Sequence, residues 1–262
     1  MAEVYEQRPR RRRGRRLLIV LVVLLLILLA LAVVADRVGA AVAERVIGDR
    51  VAEQVADKGA SSDAPDVTIE GVPFLTQVAS GEYQEIKIEL RNFSGPAGNG
   101  QTIKMPLLDV RAQDVNAPLD TLRSGNGDIT AGTVTGTGTV DYATVTDLIG
   151  RDGVKLAEND GKLAVTAPVQ VLQQSVTVNG TAKLTVADGN VVQVRFETLD
   201  APGLPNIPLV QNLLNNFAKQ FSFDIKVPEL PLQMTVQKVQ PTADGLVIAA
   251  NADDVSLNTG GI

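Results

Sequence analysis

The chain contains no cysteine, no tryptophan and no histidine in 262 residues. Without cysteine there is no disulfide framework, no thiolate zinc site, no iron–sulfur ligation and no Cys nucleophile. Without histidine the commonest general base and metal ligand is missing, and a Ser-His-Asp triad is impossible. Aromatics are scarce too, three Tyr and six Phe, which poorly equips a cleft for stacking sugars. Carboxylate chemistry survives these absences, as a glycosidase pair or an oxygen-ligated calcium.

Hydrophobic residues make up 45% of the chain, ample for a buried core. At roughly 150 residues per domain the length fits one or two domains. The net charge of −6 averages two unlike pieces. Residues 1–16 carry seven arginines against Glu3 and Glu6, residues 17–35 carry no charge, and the other 17 bases and 28 acids leave −11. An acidic bulk argues against wholesale nucleic-acid binding. The arginine run lacks interleaved stacking aromatics, so it reads as a topology determinant and a contact for anionic lipid headgroups.

From Leu17 to Ala35 the chain reads LLIVLVVLLLILLALAVVA. As a helix this run reaches about 28 Å, near the hydrocarbon thickness of a bilayer. The arginines before it predict a cytoplasmic N-terminus and an exported main domain. An uncleaved single-pass anchor is the preferred reading, because the run exceeds a signal-peptide core; Ala30, Ala32 and Ala35 leave cleavage as the alternative. The expected organisation is thus a cytoplasmic tail over 1–16, a membrane segment over 17–35 and an extracytoplasmic domain over 36–262.

Asp36 to Lys58 predicts an amphipathic helix whose stripe is Val38, Val42, Val46, Val51 and Val55, packed on the domain's own core. A polar linker, Gly59–Asp66, follows. From Val67 the pattern alternates, as in Glu85-Ile86-Lys87-Ile88-Glu89-Leu90 and at Leu163, Val165, Ala167, Val169 and Val171. Asn179-Gly180, Asp160-Gly161, Asp188-Gly189 and Asp244-Gly245 predict hairpin turns. Tyr142–Gly150 predicts a short helix, and Leu209–Phe221 an amphipathic one behind Pro205 and Pro208. No fixed-period repeat is present.

Gly132, Gly136 and Gly138 lack the context and the lysine of a phosphate loop and predict a bent or closely approached strand. Asp253-Asp254, and Glu158 with Asp160, match no EF-hand loop and read as solvated carboxylates. What remains is apolar surface. A sheet with one aliphatic face and two amphipathic helices can close over a solid core or leave an elongated cavity suited to acyl chains.

Asp66–Leu90 closely resembles the opening signature of the LmeA-like phospholipid-binding family of actinobacterial cell envelopes. The matching positions are Gly71, Pro73, Phe74, Leu75, Thr76, Gln77, Gly81 and Tyr83. The ending, Gly245-Leu246-Val247 through Ala252-Asp253-Asp254-Val255, is similar to the family's closing segment. The resemblance implies an α+β, mostly β fold: a curved antiparallel sheet wrapped around a long helix, as in tubular lipid-binding proteins, enclosing an apolar cavity. It also implies binding of envelope phospholipid in support of lipoglycan (mannan) elongation, with no catalytic residue. Taken by themselves, Gly71 and Pro73 suit a turn, so the signature reads first as a folding corner.

Together these readings give a non-enzymatic protein that binds, transfers or presents phospholipid at the membrane, without cofactor or metal. Its expected lipid-binding residues are Val42, Val46, Phe74, Leu75, Ile86, Ile88, Leu163, Val165, Leu213, Leu214 and Phe217. The alternatives are an extracytoplasmic structural or adaptor module that binds an envelope protein, and a carboxylate-based envelope enzyme.

Overall fold

The structure, a computed structural model, describes residues 13–98, 101–124, 127–150, 152–171, 174–188, 191–201, 223–226 and 234–257. The uncharged run and the helical stretch behind it form one continuous helix, α1 (Arg13–Asp57, 45 residues), about 67 Å long at 1.5 Å per residue. Leu17 to Ala35 are exposed throughout. The helix is long and apolar enough to cross a membrane, a property that N-terminal signal sequences share.

Beyond Ala35, α1 packs on the rest of the molecule. Asp36, Ala40 and Gly48 are buried, with Ala43, Glu44 and Ile47 half-buried between them. Their spacing of three or four marks one helix face. That face is not the expected valine stripe: Val38, Val42 and Val46 are 59%, 54% and 51% exposed, and only Val51 and Val55 are half-buried. The reason is distance. A short helix, α2 (Phe74–Ser80), and the strand before it, β1 (Asp66–Glu70), come too close for bulky residues. A Cβ on Gly39 would lie 3.4 Å from the Phe74 ring, and one on Gly48 3.5 Å from the Pro65 carbonyl oxygen. Glu44 also accepts a hydrogen bond from the Ile69 N–H at 3.0 Å, which occupies a donor on the otherwise open edge of β1.

The β structure forms two antiparallel sheets. The first runs β1-β2-β3-β4-β11-β10, with β2 Glu82–Gly98, β3 Gln101–Asn116, β4 Thr130–Val140, β10 Thr235–Thr242 and β11 Gly245–Ser256. The second runs β5 (Lys155–Asn159), β6 (Lys162–Val171), β7 (Gln174–Ala187), β8 (Val191–Asp200) and β9 (Phe223–Lys226) in order. Two more helices are described, α3 (Leu119–Ser124) and α4 (Tyr142–Ile149). A mostly β, α+β fold with a long N-terminal helix is therefore what the chain adopts.

Strict alternation gives the first sheet two unlike faces. One row across all six strands reads Val67, Ile88, Val110, Gly136, Ala250, Val236. The adjacent row on the opposite face reads Thr68, Lys87, Arg111, Thr135, Asn251, Thr235. Three strand residues adopt left-handed backbone: Asn92 (φ 51), Asp114 (φ 51) and Asp254 (φ 53). The last two flank Gly132 from neighbouring strands, and each resets the alternation by one residue, from Ala112 to Val115 and from Ala252 to Val255. Through both positions the pairing continues one residue against one.

The two sheets meet over a shared core of Leu163, Ala182, Val192 and Val194 from the second against Val236, Val239 and Leu246 from the first. Each valine or leucine among them contributes about 1.5–3 kcal/mol on full burial. The other core cluster lies where α1 and α2 cover the first sheet, around Ile69, Phe74, Tyr83, Val115 and Val134.

Several local expectations hold. Asp160 and Gly161 (φ 50 and 74) turn between β5 and β6, and Asp244 lies in the turn before Gly245. The Tyr142 helix starts on Asp141, whose side chain accepts the Thr144 N–H at 2.7 Å, and stops at Gly150 in left-handed backbone. Gly132, Gly136 and Gly138 lie in strand β4. One turn expectation fails. Asn179-Gly180 sits inside β7, where Gly180 pairs with Val165 and Leu199. The glycine serves close approach, since a Cβ there would lie 2.6 Å from the Leu199 side chain. The helix expected over Leu209–Phe221 lies outside the described residues.

Candidate functional site

The signature segment folds into a corner between β1 and β2. Gly71 has φ 99, and a Cβ on it would press on the Gln84 and Gln77 side chains at 2.8 and 3.0 Å. Pro73 precedes the first turn of α2 but supplies no side-chain cap. The cap comes from α1 instead: Asp36 Oδ1 accepts the Leu75 N–H at 2.8 Å. Gln77 is buried and ties the corner's two strands together. Its Nε2 donates to the Glu70 carbonyl at 3.2 Å, and its Oε1 accepts the Gln84 N–H at 2.9 Å. Gly81 ends α2 in left-handed backbone (φ 75), packed so closely on Pro118 that a Cβ would lie 2.9 Å from its Cα. Phe74 and Tyr83 are buried with ring centroids 6.4 Å apart, and burial pushes the Tyr83 hydroxyl pKa upward. Nearly every signature side chain thus has a structural task. Leu75 is the exception, 45% exposed beside Val72 at 66%.

The apolar face of the first sheet offers a second feature. Between the α1–α2 end and the contact with the second sheet, Ile86, Ile88, Leu108, Val110 and Ile248 are only half-buried. Gly136 and Gly138 contribute no side chain to this band. In their place lie two methionines: a Cβ on Gly138 would sit 2.7 Å from Met105 Sδ, and one on Gly136 3.6 Å from Met234 Sδ. Thioethers on unbranched stems repack readily around apolar ligands of irregular shape. An open depression of about 650 Å³ also lies against the corner, lined by Gln77, Tyr83, Gln84, Asp114 and neighbours. Its lining is mixed polar and apolar, which fits a headgroup better than an acyl chain.

The expected lipid-binding residues separate into groups. Ile86 and Ile88 lie on the half-buried band. Leu163 and Val165 lie on the inner face of the second sheet, Leu163 within the core between sheets and Val165 packed against it. Phe74 is in the core around the corner, Leu75 is exposed at its tip, and Val42 and Val46 are exposed on α1. Leu213, Leu214 and Phe217 lie outside the described residues. Sequence reading missed Met105, Met234 and Asp36, and singled out Gln77 only as a signature position. The two methionines were the available signal, since with Met1 they are the chain's full complement of three.

Two of the carboxylates weighed for catalysis, Glu158 and Asp253, have local partners. Glu158 accepts the Gly161 N–H at 2.7 Å in its own turn, and Asp253 accepts the Thr133 hydroxyl at 3.1 Å. Among the described residues no three acidic side chains gather closely enough to hold a metal ion. The outer face of the first sheet carries an ion network instead. Lys87 contacts Glu89, and Asp109 at 3.6 Å; Arg111 contacts Asp109 at 2.9 Å and Glu85 at 3.6 Å. Hydrogen bonding to Lys87 lowers the Glu89 pKa and raises that of Lys87, and the Asp109 contact raises that of Arg111.

These features define a class: a two-sheet β protein with one continuous apolar face, led by an apolar helix of membrane-spanning length. The model of the LmeA-like phospholipid-binding family matches residues 34–251. The chain belongs to that family, whose shared property is lipid binding. No curated protein and no solved structure matches it.

Proposed function

We propose that this protein is a membrane-anchored, extracytoplasmic carrier that takes up phospholipid on the apolar face and transfers or presents it within the envelope, in support of lipoglycan (mannan) elongation. In this reading residues 1–16 stay in the cytoplasm, 17–35 cross the bilayer, and 36–262 form the lipid-binding domain. The observation that carries it is the half-buried band of Ile86, Ile88, Val110 and the two methionines, in a chain matched to a phospholipid-binding family. A carrier needs only modest affinity. Burying a methylene from water is worth about 0.8 kcal/mol, but a lipid drawn from a bilayer has already gained that, so near-parity with the membrane allows uptake and release.

The role is binding, not turnover. Histidine and cysteine are absent from the chain, and Glu158 and Asp253 serve backbone turns and strand pairs. The test is photo-crosslinking of the full chain with a phospholipid carrying a photoreactive acyl chain. Adducts concentrated on β2, β3 and β11 support the reading; adducts confined to the apolar helix contradict it.

A further inference from the structure

We propose that the corner between β1 and β2, with the neighbouring helix α3, is a membrane-docking rim that dips into the headgroup zone of the bilayer holding α1. The inference rests on reading α1 as an anchor and adds which surface of the domain meets the lipid.

The register between α1 and the chain packed along it sets the level of the corner. Gly48 lies beside Val67, Glu44 bonds Ile69, and Asp36 bonds Leu75. Going from β1 into α2, the chain therefore descends α1 toward the apolar run and reaches its lowest described contact at Leu75. Asp36 directly follows Ala35, the last residue of that run. The polar zone flanking the hydrocarbon is roughly 5–7 Å deep on each side, and one helical turn is 5.4 Å. Leu75, held at 2.8 Å from Asp36, thus falls within that zone without any hinge, because α1 is unbroken through this point.

The exposed side chains on the corner and on the helix that follows it match the environment. Outside the apolar run, the large apolar residues exposed among the described ones are Val38, Val42, Val46, Val72, Leu75, Leu107 and Leu122. Val72 and Leu75 stand on the corner. Leu122 stands on α3, which begins beside Gly81 where the corner ends: the Ala117 N–H donates to the Gly81 carbonyl at 2.7 Å. Apolar tips of this kind partition into the interface to a depth of about 5–10 Å. Docking would place the adjacent 650 Å³ depression at headgroup level.

The absence of tryptophan from the chain allows a direct test. Full-length single-tryptophan variants Leu75→Trp, Leu26→Trp and Leu107→Trp are reconstituted in phosphatidylcholine–phosphatidylglycerol liposomes. Leu107 is the control, 40% exposed but on β3 away from the corner. Lipids brominated near the headgroup or at mid-chain then serve as quenchers. The proposal expects Leu75→Trp to be blue-shifted and to lose emission with the shallow quencher, Leu26→Trp to lose it with the deep one, and Leu107→Trp with neither. Quenching of Leu26→Trp but not of Leu75→Trp overturns the docking rim and leaves the anchor standing. Failure to quench Leu26→Trp overturns the anchor reading and the rim with it.

Discussion

Asp36 and Leu75, 39 positions apart, are joined by a hydrogen bond from the Leu75 N–H to the Asp36 carboxyl at 2.8 Å. Pro73 cannot cap the helix it precedes, and a residue from α1 does so in its place. The bond fixes the signature corner to the helix at the edge of its apolar run, and the carboxyl group is buried in doing so. Replacing Asp36 with Ala removes the cap and is expected to cost about 0.5–2 kcal/mol of stability. Asp36→Asn, whose amide oxygen can still accept, recovers part of it. Thermal melts of the full chain in detergent, followed by circular dichroism, read both.

Gln77 makes a sharper case because its amide is buried and uses both ends. Gln77→Leu keeps the approximate size but strands the Gln84 N–H and the Glu70 carbonyl. Leaving buried polar groups unmet costs about 1–3 kcal/mol each. Amide hydrogen exchange should show the loss locally, as faster exchange at Gln84 and in α2.

Gly245 and Gly161 contrast two kinds of glycine requirement. Gly245 has φ 149, and a Cβ there would fall 2.2 Å from the Val140 carbonyl oxygen. Nothing lies within 4 Å of a Cβ on Gly161, where only its φ of 74 resists a side chain. Gly245→Ala is therefore expected to fall in the exceptional range above about 4 kcal/mol, and Gly161→Ala near 1 kcal/mol. Comparing their soluble yields and melting temperatures checks this; equal effects would refute it.

The ion pairs set the pH response. Glu89 and Glu197 have folded pKa values lowered by hydrogen bonds to Lys87 and Lys162. Their contribution is present above the ordinary carboxylate pKa of about 4.3 and is lost as pH falls through the lowered value. Lys87 and Arg111 are raised, so theirs is complete below about pH 10 and lost only at higher pH. These groups are on the surface and screened by salt. A stability plateau from about pH 5 to 10, with shoulders that flatten in high salt, is expected from denaturation midpoints.

Much of the fold is legible in the sequence wherever cause and effect are close together in the chain. Asp141 and Gly150 bracket α4, Asp160-Gly161 turns a hairpin, and the alternation in β2 gives the correct inner and outer faces. Reading fails where the cause is distant. The helix α2 is seven residues long and takes its cap from Asp36, so nothing local announces it. The valine stripe on α1 misleads because periodicity weighs bulk, whereas close approach by α2 and β1 selects Gly39, Ala40, Ala43 and Gly48. Asn179-Gly180 has the composition of a turn, yet the even-numbered apolar positions from Val176 to Val186 run through it unbroken, as they must in a single strand.

At the candidate site, Ile86 and Ile88 are legible from alternation alone. Met105 and Met234 are not, because Gly136 and Gly138, the β4 positions they cover, lie far from both methionines in the chain.

Purification of the full chain from a native-like host, followed by mass spectrometry of an organic extract, tests the central claim most directly. The account predicts phospholipid near one equivalent per chain in the wild type and a large loss of it in Ile88→Asp, with melting behaviour retained. A wild-type extract free of phospholipid, confirmed by failure to load from liposomes, would contradict it.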